Sequence, residues 1–427
     1  MRNSLKVLEL FAGIGACSKA LTNLGIDYEI VDAVEIDKYA IKSFNAIHGT
    51  NFEPQDIREW DKDVEVDLIM HGSPCQDFSI AGKQAGGDRG SGTRSSLMYE
   101  TLRIVKKLKP KYVVWENVKN ILSQRHVHNW DAYAEYMEEL GYTNYCQVLN
   151  AKDYGIPQNR ERVFTISIKN YFDVEYNCDL AVDFNFPEPF PLTLRLKDFL
   201  EDDVDEKYYV KKTNNLVFGK KRVHWDNSGK GYGSQQDRAV YENGLSPTLS
   251  RCNSHGDKAQ VCIVASRGRN PQNPSDKIPG DHRLEQRLEP RFDGMTNTIT
   301  SVQKDNYVAI RTANKQGYDL ATDGDGIDLA YPDSSTRRGR VGHGVSKTLP
   351  TSDSQGVMDG YRIRKLTPKE CWRLMGFDDK DFEKAAMVNS NTQLYKQAGN
   401  SIVVNILEGI MEELLNGRQK KQSHKAG

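Results

Sequence analysis

The first 170 residues alternate short apolar runs with longer amphipathic segments. Strand-like runs, rich in β-branched and aromatic side chains, occupy residues 7–11, 29–35, 67–71, 112–115, 145–149 and 163–168. Helical periodicity occupies residues 17–23, 38–48, 97–108 and 130–140. This rhythm predicts an α/β fold with a doubly wound, mostly parallel sheet, in which ligands bind at the carboxyl ends of the strands.

The pattern changes after residue 169 and changes again near residue 361. Prolines cluster at residues 186–191, and polar, glycine-rich segments then replace the alternation of strands and helices. Helical periodicity returns beyond Tyr361, and a last helix is predicted from about residue 400 to 415. We therefore expect a first domain over 1–180, a smaller, irregular, β-rich domain over 181–360, helices over 361–420 that complete the first domain, and a disordered tail over 421–427.

Bulk composition indicates an ordinary globular protein. Hydrophobic residues make up 38% of the chain and charged residues 27%, and no apolar run reaches the length of a membrane span. The N-terminus lacks a signal peptide, so we expect a cytoplasmic protein without a membrane role. The seven cysteines are odd in number and never form Cys-x-x-Cys, which predicts neither a disulfide framework nor a metal site.

Positive charge is concentrated in the middle of the chain. The net charge is −1, but residues 211–347 contain 22 Lys and Arg against 15 Asp and Glu, which gives +7 there and −8 elsewhere. Such a segment is suited to binding a polyanion.

The same segment contains a motif that recurs every fifty residues. Its copies are Gly244-Leu-Ser-Pro-Thr248-Leu, Gly294-Met-Thr-Asn-Thr298-Ile and Gly344-Val-Ser-Lys-Thr348-Leu, preceded by Arg238, Arg291 and Arg340. A repeated turn that carries basic and hydroxyl side chains can contact phosphates and base edges. A hairpin repeated only for folding reasons would show the same pattern, and the two interpretations are compatible.

A glycine turn and two acidic residues predict a nucleotide-like cofactor in the first domain. Gly13 and Gly15 follow the first strand and precede a helix, so that backbone N–H groups are free to approach a ligand. Glu35 ends the second strand, and Asp56 is expected to follow a further strand, at the same edge of the sheet. An adenosine moiety fits this pattern, whereas a dinucleotide is disfavoured because Ser18 replaces the third glycine, and no P-loop sequence is present.

Reactive groups follow other strands at this edge. Cys75 comes directly after an apolar strand and begins a glycine-rich segment, 76–94, which we interpret as a mobile lid. Glu116 ends another strand, and alternation directs Gln158, Arg160 and Arg162 to one side. A thiol, a carboxyl group and guanidinium groups would converge as nucleophile, proton donor and charge stabilisers. A buried structural cysteine and an exposed charged edge are the competing interpretations.

Taken in order, these motifs resemble the DNA (cytosine-5)-methyltransferase family of bacteria and phages over nearly the full length. The matching segments are Phe11-x-Gly13-x-Gly15, Glu35-Ile36-Asp37, Gln55-Asp56, Pro74-Cys75-Gln76, Glu116-Asn117-Val118, Gln158-x-Arg160-x-Arg162, Arg364 to Glu370, and Gln397 to Ser401. No catalytic position departs from the family pattern. The resemblance implies a catalytic and cofactor-binding first domain with an S-adenosylmethionine-dependent methyltransferase fold, and a target-recognition domain over 181–360.

The resemblance also implies roles for individual residues. Cys75 would add to carbon 6 of cytosine, Glu116 would contact ring nitrogen 3, Arg160 and Arg162 would favour the thiolate, and Arg162 would contact O2. S-adenosyl-L-methionine would contact Phe11, Gly13, Gly15, Glu35, Ile36, Asp56, Ile57, Pro74, Leu97, Asn400 and Ile402. Double-stranded DNA would contact Gln76, Ser79, Arg94, Gln158, Arg238, Thr248, Arg251, Arg291, Thr298, Arg340 and Thr348.

The implied enzyme methylates a cytosine rotated out of the duplex, within a recognised sequence. We expect a monomer; a cognate restriction endonuclease in the same system is conceivable, but not in a stable complex. The competing functions are an RNA cytosine methyltransferase and a catalytically silent DNA-binding regulator. The basic middle segment favours duplex DNA over RNA, and the presence of Cys75, Glu116 and Arg162 disfavours the regulator.

Overall fold

The computed structural model describes residues 4–74, 78, 87, 88, 90–173, 178–210, 263–269, 285–289, 306–315, 317–332, 334, 336–360 and 362–424. The chain divides into two compact units. Unit 1 comprises Met1–Leu194, Thr348–Ser352 and Pro368–Gly427, and unit 2 comprises Arg195–Lys347 and Asp353–Thr367.

A six-stranded sheet forms the centre of unit 1. The strands of this unit are β1 (Leu5–Leu10), β2 (Tyr28–Val34), β3 (Leu68–His71), β4 (Tyr112–Val118), β5 (Tyr142–Asn150), β6 (Gln158–Asn159), β7 (Glu161–Lys169), β8 (Tyr171–Asp173) and β9 (Cys178–Leu180). The sheet order is β2-β1-β3-β4-β7-β5, with β1 to β4 parallel and β7 antiparallel to both β4 and β5. The predicted mostly parallel α/β sheet is therefore confirmed, with an antiparallel edge.

Eight helices belong to the described part of unit 1. They are α1 (Ala16–Asn23), α2 (Lys38–His48), α3 (Met98–Leu108), α4 (Val127–Glu139), α5 (Pro368–Arg373), α6 (Asp379–Ala386), α7 (Asn391–Asn400) and α8 (Val404–His424). Short 3-10 turns lie at Arg94–Leu97, Lys119–Leu122 and Ala151–Tyr154. α8 runs beyond the predicted end near residue 415, and residues 421–424, expected in a disordered tail, are helical.

The C-terminal helices pack against the N-terminal ones. α8 lies against α1, and α6 and α7 lie against α2. Lys19 on α1 forms ion pairs of 2.8 Å with Asp378 and Asp381, and Lys396 on α7 forms one of 2.6 Å with Asp37. The end of the chain thus completes the unit that its beginning starts.

The sheet interior follows the apolar pattern of its strands, with buried polar residues at a few positions, of which Glu9 in β1 is one. Leu8, Leu10, Ile69 and Val113 are fully buried in the main core. Glu9 lies between two buried leucines and is also buried, although burying a carboxyl group is costly unless it is hydrogen-bonded. The strand expected before Asp56 is absent, because residues 49–55 form an irregular segment between α2 and a turn.

Unit 2 is built of antiparallel strands. They are β10 (Ile263–Arg269), β11 (Glu285–Glu289), β12 (Asn306–Arg311), β13 (Tyr318–Ala321), β14 (Gly326–Asp328), β15 (Val341–Gly342), β16 (Ser346–Lys347), β17 (Gln355–Asp359) and β18 (Arg362–Lys365), with 3-10 turns at Leu196–Phe199 and Glu206–Tyr208. Two four-stranded sheets have the orders β11-β10-β12-β13 and β15-β14-β17-β18. Within the described ranges of both units, no helix is long and apolar enough to cross a membrane.

Candidate active site

A strained turn between β1 and α1 forms one wall of the site. Phe11, Gly13 and Gly15 have positive φ angles of 53°, 57° and 82°, a region that glycine adopts without strain. The Gly13 N–H donates to Glu35 Oε2 at 3.0 Å, and the Asp37 N–H donates to Glu35 Oε1 at 2.8 Å. Glu35 therefore ties the turn to the end of β2. Burial raises the pKa of its carboxyl group, while these two N–H donors counteract the rise.

Gly15 admits no larger residue. A Cβ atom there would lie 2.1 Å from Nε2 of His48, which itself lies 3.2 Å from the carbonyl oxygen of Ile14. Gly15 is also the N-cap of α1 and has no side chain with which to cap it. The glycine in this motif is thus required both by its backbone angle and by its neighbour.

Glu9 caps α1 in place of the missing side chain. Its Oε1 accepts hydrogen bonds from the Ser18 N–H at 3.0 Å and from the Ser18 hydroxyl group. Burial raises the pKa of Glu9 to about 7, because its removal from water outweighs the help of these donors.

The glycine turn opens into a cleft. Its lining comprises Glu9, Leu10, Phe11, Ala12, Gly13, Ile14, Ala16, Cys17, Met70, Gly72, Glu116, Asn400, Ser401 and Ile402. Three distant parts of the chain, the β1–α1 turn, β4 and the segment after α7, therefore meet here.

Arg160 holds the segment after α7 in place. Its guanidinium donates to the carbonyl oxygens of Gly399 at 3.1 Å and Ser401 at 2.7 Å, on either side of Asn400. A Cβ atom at Gly399 would lie 2.3 Å from the carbonyl oxygen of Pro350, so glycine is needed for this approach. Arg160 is buried and positions the cleft wall. Its role of favouring a thiolate stays a prediction, because Cys75 lies outside the described residues.

Glu116 faces the cleft from the end of β4. Its Oε1 lies 3.0 Å from Nε of Arg162, and a Cβ atom placed on Gly72 would lie 3.7 Å from Oε2. Burial raises the pKa of Glu116, and the positive charges of Arg162 and Arg160 oppose the rise. The predicted proximity of Glu116 and Arg162 is confirmed. Pro74 leads towards Cys75, which lies outside the described residues together with Gln76 and Ser79.

Other predicted cofactor contacts lie elsewhere. Ile36 is 68% exposed beside Glu35, an unusual position for a large apolar side chain. Asp56 pairs with Arg58, Ile57 belongs to the main core, and Leu97 ends a 3-10 turn that packs on that core. The structure does not bring these four side chains into the lining of the cleft.

Two predicted DNA contacts are wrong for the same reason, which is burial. Gln158 has no exposed surface; it donates to the Leu374 carbonyl at 2.8 Å and accepts from the Leu349 N–H at 3.2 Å. Arg340 also has no exposed surface, and it donates to the carbonyl oxygens of Asp328, Ala330 and Tyr331 at 2.6–3.0 Å. Both side chains support backbone segments and are not accessible to DNA.

The remaining predicted DNA contacts are only partly described. Arg94 is exposed on its 3-10 turn, and Thr348 is exposed but donates its hydroxyl hydrogen to the Asn159 carbonyl at 2.8 Å. Arg238, Thr248, Arg251, Arg291 and Thr298 lie outside the described residues.

Sequence reasoning missed Glu9, Gly72 and Ser401 as cleft residues. Of these, Glu9 could have been found from the sequence, because an acidic residue within an apolar strand indicates a functional or capping role.

Comparisons with known proteins agree with the geometry. The family model for C-5 cytosine-specific DNA methylase matches residues 5–416. The chain is 33% identical to the orphan methyltransferase M.Rho11sI of Bacillus phage rho11s, with 99% of this chain and 100% of that protein covered. It is 31% identical to the type II methyltransferase M2.ScrFI of Lactococcus lactis subsp. cremoris, with 97% and 100% covered.

A solved structure supports the fold. DNMT2 of Spodoptera frugiperda superimposes with a TM-score of 0.52 at 18% identity, covering 96% of this chain and 99% of that one. The family match spans almost all of the sequence, including the glycine turn, Glu116, Arg162 and the segment after α7. The chain therefore belongs to the C-5 cytosine-specific DNA methylase family and is a DNA (cytosine-5)-methyltransferase.

Proposed function

We propose that this enzyme transfers a methyl group from S-adenosylmethionine to carbon 5 of a cytosine rotated out of duplex DNA, through a covalent adduct with Cys75. One observation carries the proposal. A buried carboxyl group, Glu116, is paired with a guanidinium at 3.0 Å and faces a cleft that a glycine turn also lines. A proton donor for a pyrimidine ring and a binding site for a small cofactor are thus adjacent.

The residues of the cleft fit S-adenosylmethionine. The glycine turn permits close approach of its backbone, and the N-terminus of α1 favours a negatively charged group such as the cofactor carboxylate. Ile36 lies outside the cleft lining but is exposed next to the buried carboxyl group of Glu35, where it offers an apolar surface for the adenine ring. When bound, the cofactor supplies an electrophilic methyl group on a sulfonium.

Carbon 5 of cytosine is a weak nucleophile, so the protein must activate the ring. The Cys75 thiolate adds to carbon 6, and Glu116 donates a proton to nitrogen 3, which shifts electron density to carbon 5. After methylation, carbon 5 loses its proton to solvent, the Cys75 sulfur departs, and nitrogen 3 returns its proton to Glu116, which restores the ring. The raised pKa of Glu116 supports the donor role, because the protonated form persists to higher pH than in an exposed glutamate.

Arg162 orients this donor. Its Nε contacts Glu116, and its Nη1 donates to the Glu161 carbonyl at 2.8 Å, so the guanidinium is fixed from two sides. By family resemblance it also contacts the cytosine O2.

DNA is held and read, in this proposal, by the basic middle segment that belongs to unit 2. Base rotation is required because a stacked cytosine cannot reach a cleft at the end of a sheet. Action as a monomer in the cytoplasm, and a functional link to a restriction endonuclease, stay predictions from the sequence.

Tritium transfer to DNA tests the chemistry. We expect Cys75→Ser and Glu116→Gln to lose methyl transfer to plasmid DNA while S-adenosylmethionine still binds with an unchanged Kd in calorimetry. Exposed Glu59→Gln is the control and keeps full activity. Transfer to tRNA in place of plasmid, or substantial activity in Cys75→Ser, would contradict the proposal. Bisulfite sequencing of the methylated plasmid then identifies the target cytosines.

A further inference from the structure

The hydroxyl group of Ser73 receives two hydrogen bonds from β4. Ser73 lies between the end of β3 and Pro74, and it is buried. Its Oγ accepts from Trp115 Nε1 at 2.9 Å and from Asn117 Nδ2 at 3.4 Å, and the Asn117 amide also lies 3.5 Å from the Ser73 carbonyl oxygen. A serine hydroxyl has two acceptor lone pairs, so both are engaged by donors of one strand.

Successive side chains of β4 point to opposite sides of the sheet and make different contacts. Trp115 and Asn117 are two residues apart and reach Ser73 together, whereas Glu116 between them points to the opposite side and lines the cleft. β4 therefore carries the proposed proton donor, Glu116, on one side and contacts Ser73, two residues before Cys75, on the other.

The donor at Trp115 is itself fixed. Its ring is stacked on His71 with centroids 5.7 Å apart and an angle of 6°, and it packs on Tyr133 at 4.2 Å. His71 Nε2 in turn lies 3.1 Å from the Tyr133 hydroxyl group. The indole is buried and packs against two rings that are hydrogen-bonded to each other, so it has little freedom to follow a displaced Ser73.

The link from Ser73 to Cys75 has little freedom. Pro74 has its φ angle fixed near −65°, and a residue before proline is restricted to extended conformations. The placement of Ser73 is thus passed on to Cys75 through only a few torsions. Losing about 1 Å of accuracy at a reacting atom can cost about a hundredfold in rate.

From this geometry we infer that Ser73 is a positioning residue: its hydroxyl group, held by Trp115 and Asn117, sets the segment carrying Cys75 in register with Glu116. The inference rests on the proposed function, in which Cys75 is the nucleophile. It assigns Ser73 and Trp115 to the methyl-transfer step although neither lines the cleft.

A matched pair of tryptophan variants tests the inference. Trp115→Phe removes the indole N–H but keeps an aromatic ring against His71 and Tyr133. Trp130→Phe is the control, because Trp130 Nε1 donates to Thr165 Oγ1 at the same distance of 2.9 Å, between α4 and β7. Thr165 lies opposite Trp115 in the sheet, so the control removes an indole N–H from the same region without removing the bond to Ser73. The readout is the single-turnover rate of methyl transfer at saturating DNA and S-adenosylmethionine, with the Kd of each ligand measured separately.

We expect Trp115→Phe and Ser73→Ala to lower the single-turnover rate at least tenfold, with both Kd values within twofold of the wild-type values. Trp130→Phe keeps the rate, and Ser73→Thr, which retains the hydroxyl group, restores most of it. The double variant Ser73→Ala/Trp115→Phe is no slower than the slower single variant, because both remove the same bond.

The alternative outcomes are distinct. Equal rates for Trp115→Phe, Trp130→Phe and the wild type would overturn the inference, and so would a loss expressed only in the Kd values. If Trp115→Phe does not fold, the comparison of Ser73→Ala with Ser73→Thr decides. Activity that survives in Cys75→Ser would instead overturn the proposed function, whatever the Ser73 variants do.

Discussion

Replacing the buried carboxyl group of Glu9 with an amide changes how the stability of unit 1 depends on pH. Glu9 sits among the apolar residues of β1, and its pKa is raised from 4.5 to about 7 because burial penalises the charged form. The folded state therefore holds a proton that the unfolded state has already released. The stabilisation is full below pH 4.5 and is lost as the pH rises towards 7.

The size of the effect follows from the two pKa values. At about 1.4 kcal/mol per pKa unit, the rise corresponds to about 3 kcal/mol. Most of this, about 2–3 kcal/mol, falls between pH 5 and pH 8. Glu9→Gln keeps an oxygen that can accept from Ser18 but has no proton to lose, so its stability relative to the wild type should increase by about that amount from pH 5 to pH 8.

Urea unfolding, followed by tryptophan fluorescence, measures the difference. Four of the five tryptophans, Trp60, Trp115, Trp130 and Trp372, lie in unit 1, so most of the signal reports on the unit that contains Glu9. Other buried groups, such as His48 with a pKa lowered to about 4, titrate in both proteins and cancel in the difference. The exposed variant Glu59→Gln should show no such change. A difference between wild type and Glu9→Gln that stays constant from pH 5 to pH 8 would refute the reasoning.

Two further predictions concern the cleft. Gly15→Ala should lower the free energy of unfolding by about 1–3 kcal/mol and weaken S-adenosylmethionine binding, because the new methyl group would overlap His48 Nε2 at a residue with positive φ. Thermal unfolding measures the first effect and calorimetry the second. An unchanged Tm would contradict the prediction. Arg162→Gln removes a positive charge that lowers the pKa of Glu116, so this pKa should rise further. The alkaline limb of the pH profile of the single-turnover rate should therefore move to higher pH. A profile that keeps its position would show that the two groups are not coupled.

The elements around the glycine turn could be predicted from sequence because their determinants are local. A short, mostly apolar run, a turn with glycines and a following amphipathic segment specify strand, turn and helix within about twenty residues. Parallel strands then place Glu35 and Glu116 at one edge of the sheet, as their positions at strand ends predict. The family order of the motifs adds the expectation that the last helices return to this edge.

The partners of buried polar side chains could not be predicted from the sequence, because they come from distant parts of the chain. Gln158 and Arg340 have the chemistry of DNA contacts, yet only the folded chain surrounds each with backbone carbonyl groups that consume its donors. The segment before Asp56 forms no strand although β2 is an edge strand of the sheet; it is joined to the end of β2 by the Gln55 N–H, which donates to the Glu35 carbonyl at 2.8 Å.

The sequence by itself determined the sheet, the glycine turn and the identity of the reactive groups, since these depend on neighbouring residues and on motif order. Tertiary structure alone decided that Glu9 is a buried cap, that Arg160 holds the segment around Asn400, and that Trp115 holds Ser73. The physical reason is that burial and hydrogen bonding depend on which groups meet in space. Residues 73 and 115 meet only when the sheet has assembled, and residues 160 and 401 meet only when the C-terminal helices have packed against it.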